Sequence, residues 1–138
     1  YSQPGDFKFG QPEFTSIDVS FISLSLILPP LKSILKIGGE VVALIKPQFE
    51  AGRDKVGKHG IVRSHRTHVE VIQKVMRLAV QNGFSVLGLD FSPIRGGKGN
   101  VEFLIHLKSV AGNPRISSRI SITQVLRNAR AKFNLSLN

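Results

Sequence analysis

The sequence predicts an α/β fold built on an open, mostly parallel sheet that ends in an antiparallel hairpin strand. Apolar, β-branched runs and segments of helical period follow one another as strand, helix, strand, helix, strand, strand. The run Glu40–Ile45, "EVVALI", is continuous enough for a strand covered on both faces, as in parallel sheets. The last two strand-like runs are joined by "SPIRGGKGN", too short for a crossover helix, so they must pair antiparallel.

Tyr1 to Phe14 is rich in Gly, Pro and polar residues without a period, an opening loop. Phe14 to Val19 reads as the first strand. In "SFISLSLILPPLKSILKIGG" the apolar residues Leu28, Leu31, Ile34 and Leu35 have helical spacing. Two prolines suit a first helical turn better than an interior, which predicts a helix from Pro29 to Lys36 closed by Gly38 or Gly39. After the second strand, Gln48 to Arg63 is a long glycine-punctuated loop, a type more often functional than idle. Ser64 to Asn82 is the clearest helix, with Val69, Ile72, Val75, Met76 and Ala79 on one face and Asn82-Gly83 as its stop. Phe84–Leu89 and Val101–Leu107 are the hairpin strands. Ile120 to Lys132 is expected to form a final basic helix.

The length of 138 residues fits one domain. Without cysteine the chain has no disulfides, thiolate metal sites or thiol nucleophile, and a reducing, cytoplasmic setting is expected. The apolar run Ile17–Leu28 carries Asp18, Ser20, Ser23 and Ser25 and is closed by prolines, so it is too short and polar to span a bilayer. Nineteen Lys and Arg against nine Asp and Glu give a net charge of +10, which favours a polyanionic partner. No side-chain carboxylate follows Glu102, whereas Lys108, Arg115, Arg119, Arg127, Arg130 and Lys132 do. Arg53, Lys55, Lys58, Arg63 and Arg66, with Arg95 and Lys98 of the hairpin turn, are expected to contact the phosphates of such a partner. "RGGKG" opens no helix and reads as a turn rather than a phosphate loop. His59, His65, His68 and His106 are scattered without a third ligand, so no metal is expected.

Three charged residues stand at strand ends. Asp18 is near the end of the first strand, Lys46 ends the second, and Glu102 is near the start of the last. Pro47 biases Lys46 toward extended backbone. If the last strand is antiparallel, its start shares an edge with the ends of the others, and all three side chains meet on one rim. Charge near a sheet core is costly unless paired. Mutual neutralisation is therefore one explanation of the cluster, and a functional site is the other.

"IDVSFISLSLILPPL", "GGEVVALIKPQFEAGRDKVGKHGIVR" and "GNVEFLIHL", in this order, resemble the hemolysin A (TlyA) family, related to the FtsJ-type RNA methyltransferases, over Tyr1 to Lys108. The resemblance implies a partial Rossmann-like class I methyltransferase fold. It also implies transfer of a methyl group from S-adenosyl-L-methionine to ribose 2′-hydroxyls of ribosomal RNA. Of the family's lysine, aspartate, lysine, glutamate set, Asp18, Lys46 and Glu102 match the last three, and the first lysine has no counterpart. Asp18, Val19, Ser20 and Phe21 are expected at the cofactor. Residues 1–108 are then the carboxyl-terminal half of a methyltransferase domain, without its cofactor loop or an RNA-binding domain and inactive alone, and 109–138 a basic tail. Arg63-Ser64-His65 departs from the family's Arg-Asp-Pro, although Ser64 can still cap a helix. Carboxylates favour a charged Lys46 whereas a base must be neutral, so orienting the hydroxyl is its expected role. The alternatives are a non-catalytic RNA-binding domain or inactive fragment and, as a minor one, a membrane-active hemolysin.

Overall fold

The structure is a computed structural model and describes residues 14–17, 24–51, 61–62, 64–95 and 99–133. In chain order they form β1 (Phe14–Ile17), α1 (Leu24–Ile34), β2 (Glu40–Ile45), α2 (Pro47–Glu50), α3 (His65–Gln81), β3 (Phe84–Phe91), β4 (Phe103–Ser109) and α4 (Ile122–Phe133). The sheet order is β1-β2-β4-β3. β1 pairs parallel with β2, and β4 pairs antiparallel with both β2 and β3.

The expected α/β class holds, and β3 and β4 form the antiparallel hairpin. The mostly parallel sheet does not form: two of its three pairings are antiparallel, because β4 inserts between β2 and β3. Side-chain matching explains the insertion. Val41, Ala43 and Ile45 lie opposite Leu107, Ile105 and Phe103, and all six are fully buried. Adjacent burial of that kind is the main stabilising unit of a sheet.

These residues join Phe84 and Val86 of β3, Leu24, Ile27, Leu28 and Leu31 of α1, Val71, Ile72, Val75 and Ala79 of α3, and Val125, Leu126 and Ala129 of α4 in one core. β2 is not covered equally on both faces, as its apolar run had suggested. Val41, Ala43 and Ile45 are buried, whereas Val42 and Leu44 are half-buried.

α1 begins about a turn and a half before the predicted start and holds Pro29 and Pro30 in its interior. Each proline removes a helix hydrogen bond, a cost of about 3 kcal/mol. The stripe Leu24, Ile27, Leu28, Leu31 and Ile34 is buried, at about 1.5–3 kcal/mol per side chain, and outweighs that loss. Pro29 itself is exposed. The buried Glu50 carboxylate accepts the Leu24 N–H at 2.8 Å, satisfying a donor at the helix start.

α3 starts as predicted. Ser64 is its N-cap and accepts from the Thr67 N–H at 3.3 Å. It ends at Gly83, whose φ of +85° suits glycine. Lys32 of α1 crosses to this corner. Its Nζ donates to the Gly83 carbonyl at 2.8 Å, Ser109 Oγ at 2.7 Å and the Val110 carbonyl at 2.9 Å, and lies 5.4 Å from the Phe84 ring centre. Burial lowers its pKa. Among the described residues no helix is long and apolar enough to cross a membrane.

Candidate active site

β2 ends at Ile45, and Pro47 is the first residue of α2, so Lys46 sits at the junction with extended backbone (φ −110°, ψ 97°). That is the geometry a following proline favours. Glu102 lies directly before β4, its carbonyl accepting the Ser92 N–H at 2.8 Å. Because β4 runs against β2, its start meets the end of β2, where Ile45 pairs with Phe103.

The two charges meet there. Lys46 Nζ lies 3.3 and 3.4 Å from the two carboxylate oxygens of Glu102, with side chains 14% and 5% exposed. Gln48 adds a second donor, its Nε2 3.0 Å from Glu102 Oε2. A carboxylate only accepts, so the Gln48 amide must turn its nitrogen toward Glu102 and its oxygen away. That oxygen, Oε1, is buried and has no hydrogen-bond partner among the described residues. Glu102 is thus held from two sides, and it holds the amine of Lys46. Sequence reasoning did not select Gln48, although it stands two residues after Lys46 in "KPQFE".

Behind Glu102, Asn100 is 1% exposed and its Oδ1 accepts the Val62 N–H at 2.9 Å. This ties the approach to α3 to the strand that carries Glu102. His68 of α3 lies edge-on to Phe103, ring centres 5.5 Å apart, and is 5% exposed. Burial first, then the Arg130 and His65 charges, lower its pKa to about 4 against the opposing bond to the Val62 backbone. Its Nε2 has no partner among the described residues. Among the described residues no three His, Asp or Glu side chains converge.

Asp18, Val19, Ser20, Phe21, Arg53, Lys55, Lys58, Arg63 and Lys98 lie outside the described residues. Of the predicted phosphate contacts that are described, Arg66 is exposed on the first turn of α3, 3.4 Å from Glu70. Arg95 is exposed and lies over the Phe133 ring, 5.4 Å from its centre. Lys46 and Glu102 are the predicted site residues that the fold brings into contact.

Residues 4–109 match the FtsJ-like methyltransferase family model. The chain belongs to the FtsJ-like methyltransferase family. Among its relatives is YqxC of Bacillus subtilis, named as a candidate rRNA methyltransferase, at 54% identity over 78% of this chain and 38% of that protein. The 16S/23S rRNA (cytidine-2′-O)-methyltransferase TlyA of Mycobacterium tuberculosis is 35% identical over 72% of this chain and 37% of its own length. The solved structure of a candidate hemolysin from Streptococcus thermophilus superposes with a TM-score of 0.90 at 54% identity, over 97% of this chain and 48% of that one. This FtsJ-like chain therefore spans less than half the length of the curated relatives it matches.

Proposed function

We propose that this chain carries the lysine–glutamate part of the active site of an S-adenosyl-L-methionine-dependent ribosomal RNA ribose 2′-O-methyltransferase acting in the cytoplasm. The observation that carries the proposal is the Lys46 amine held by Glu102, itself held by Gln48, at the carboxyl end of β2. The rRNA (cytidine-2′-O)-methyltransferase among the relatives supports the substrate class. The fold fits a partial Rossmann-like class I methyltransferase domain, and the activity is that of the complete protein.

A ribose hydroxyl is a poor nucleophile unless it is oriented and its developing charge is met. An ammonium gripped by a carboxylate is a hydrogen-bond donor rather than a base. Lys46 therefore contacts the 2′-oxygen, fixes its line of attack and stabilises its charge as the hydroxyl proton passes to solvent water. Glu102 sets where the amine points, and Gln48 keeps Glu102 from turning. Asp18, Val19, Ser20 and Phe21, which lie outside the described residues, are assigned to the cofactor side on the family resemblance. S-adenosyl-L-methionine, when bound, supplies an electrophilic methyl on sulfonium. No atom of Lys46, Gln48 or Glu102 is consumed.

The test is Lys46→Ala in the complete protein, assayed with radiolabelled methyl donor and ribosomal RNA. Methylation should be abolished while RNA affinity stays within about threefold, because positioning and charge stabilisation act on the chemical step. Wild-type turnover in the variant would end the assignment.

A further inference from the structure

α4 has two sides of different character. Val125, Leu126, Ala129 and Arg130 are buried, while Arg127 and Lys132 are exposed. The segment before it adds Arg115 and Arg119, also exposed. This segment is fixed to the sheet: the Val86 N–H donates to the Arg115 carbonyl at 2.8 Å, and the Ser117 N–H to the Val86 carbonyl at 2.9 Å. At the other end of α4, Phe133 lies edge-on to Phe91, ring centres 5.8 Å apart, and under Arg95. Phe91 pairs with Phe103, the residue after Glu102. α4 thus runs from the β3 start to the rim where Lys46 and Glu102 meet, about 18 Å at 1.5 Å per residue.

No side-chain carboxylate follows Glu102, so no acidic group of residues 103–133 offsets these cations. A row of exposed cations with no carboxylate in its own segment matches a phosphate backbone. A lipid surface fits less well. A membrane-binding amphipathic helix must insert its apolar face, and the apolar face of α4 is already used in the core.

We infer that the exposed side of α4, with Arg115 and Arg119 before it and Arg95 at its far end, is a track for the RNA phosphate backbone leading to Lys46. The inference rests on the RNA methyltransferase reading above and adds where the substrate lies. Arg119, Arg127 and Lys132 position the strand and do not touch the reacting atoms.

The experiment compares wild type, the triple variant Arg119→Gln, Arg127→Gln, Lys132→Gln, and Lys46→Ala, each in the complete protein, for binding to a ribosomal RNA fragment across a salt series. Three lost phosphate contacts should lower the slope of log affinity against log salt by about 2, at about 0.7 per contact for a single strand. KM for RNA should rise with kcat at saturating RNA changed less than about twofold. Arg119→Lys with Arg127→Lys should keep the wild-type slope, which loss of fold would not permit. An unchanged slope in the triple variant, with wild-type methylation intact, would overturn the track and leave the methyltransferase reading standing. Absence of RNA methylation by wild type would sink that reading instead. Binding of wild type to anionic vesicles but not to RNA would overturn the track in favour of a membrane.

Discussion

His68 makes the stability of this domain depend on acid in a way that can be calculated. Its ring is buried against Phe103, near the Arg130 cation, and its pKa falls from 6.5 to about 4. Above pH 6.5 the ring is neutral in both folded and unfolded chains, so it adds no pH dependence. As pH falls below 6.5 the unfolded chain takes up a proton that the folded one refuses, and stability drops until the folded ring also titrates near pH 4. About 2.5 pK units at 1.36 kcal/mol each is about 3 kcal/mol. That is a large part of the roughly 5–15 kcal/mol that holds a domain together. With an m value of about 2 kcal/mol/M, the urea midpoint should fall by about 1.5 M from this residue alone. The comparison is wild type against His68→Gln, whose amide can still donate to the Val62 carbonyl. Urea unfolding is followed at several pH values between about 7 and about 4.5. Carboxylates titrate in both proteins and cancel in the difference. The variant should lose about 2.5 kcal/mol less than wild type over that range, the remainder appearing only below about pH 4.5. Parallel loss in the two would show that His68 is not held neutral by its surroundings.

Two further substitutions test the joints of the fold and the site. Gln48→Met removes one donor from Glu102, a bond to a charged group worth about 1.5–3 kcal/mol. It should lower kcat about tenfold or more with little change in KM for RNA, and wild-type kcat in the variant would mean that the Gln48 bond to Glu102 does not serve the reaction. Lys32→Met leaves Ser109 Oγ and the Val110 carbonyl without its ammonium. Since water can reach part of that corner, a loss of about 2 kcal/mol is expected by denaturant unfolding, and a change below about 0.5 kcal/mol would show that water replaces the amine fully.

Most elements were legible because their periods are local. α3 was read almost to the residue, since its apolar face, its Ser64 cap and its Gly83 stop are all written in consecutive positions. α1 was read short for a definable reason. Two prolines favour a first helical turn by local rule, yet Leu24, Ile27, Leu28 and Leu31 keep helical spacing straight through them. Burial of that stripe exceeds the loss of two hydrogen bonds, and the capping Glu50 is 26 residues away, out of reach of any local rule. The insertion of β4 was hidden for a similar reason. A short connection tells that β3 and β4 pair, but not which strand takes the second edge of β4. That choice rests on a match between β2 and β4, two runs separated by more than 50 residues.

The same contrast explains the site. Lys46 and Glu102 could be found from sequence because each interrupts an apolar run at a strand end, and strand direction alone says which ends share a rim. Gln48 interrupts nothing; a glutamine after a proline is an ordinary first-turn residue. Its role appears only when Glu102, 54 positions later, arrives within 3.0 Å. Charge at a strand end therefore marks where a site lies, whereas the neutral donors that fix its geometry are set by tertiary contact. A lysine and glutamate alone, 3.3 Å apart, could be simple neutralisation. A carboxylate gripped by a second donor, and not by the lysine alone, is held more firmly than neutralisation requires. That surplus favours a site built to hold an amine in place over a pair that merely cancels charge.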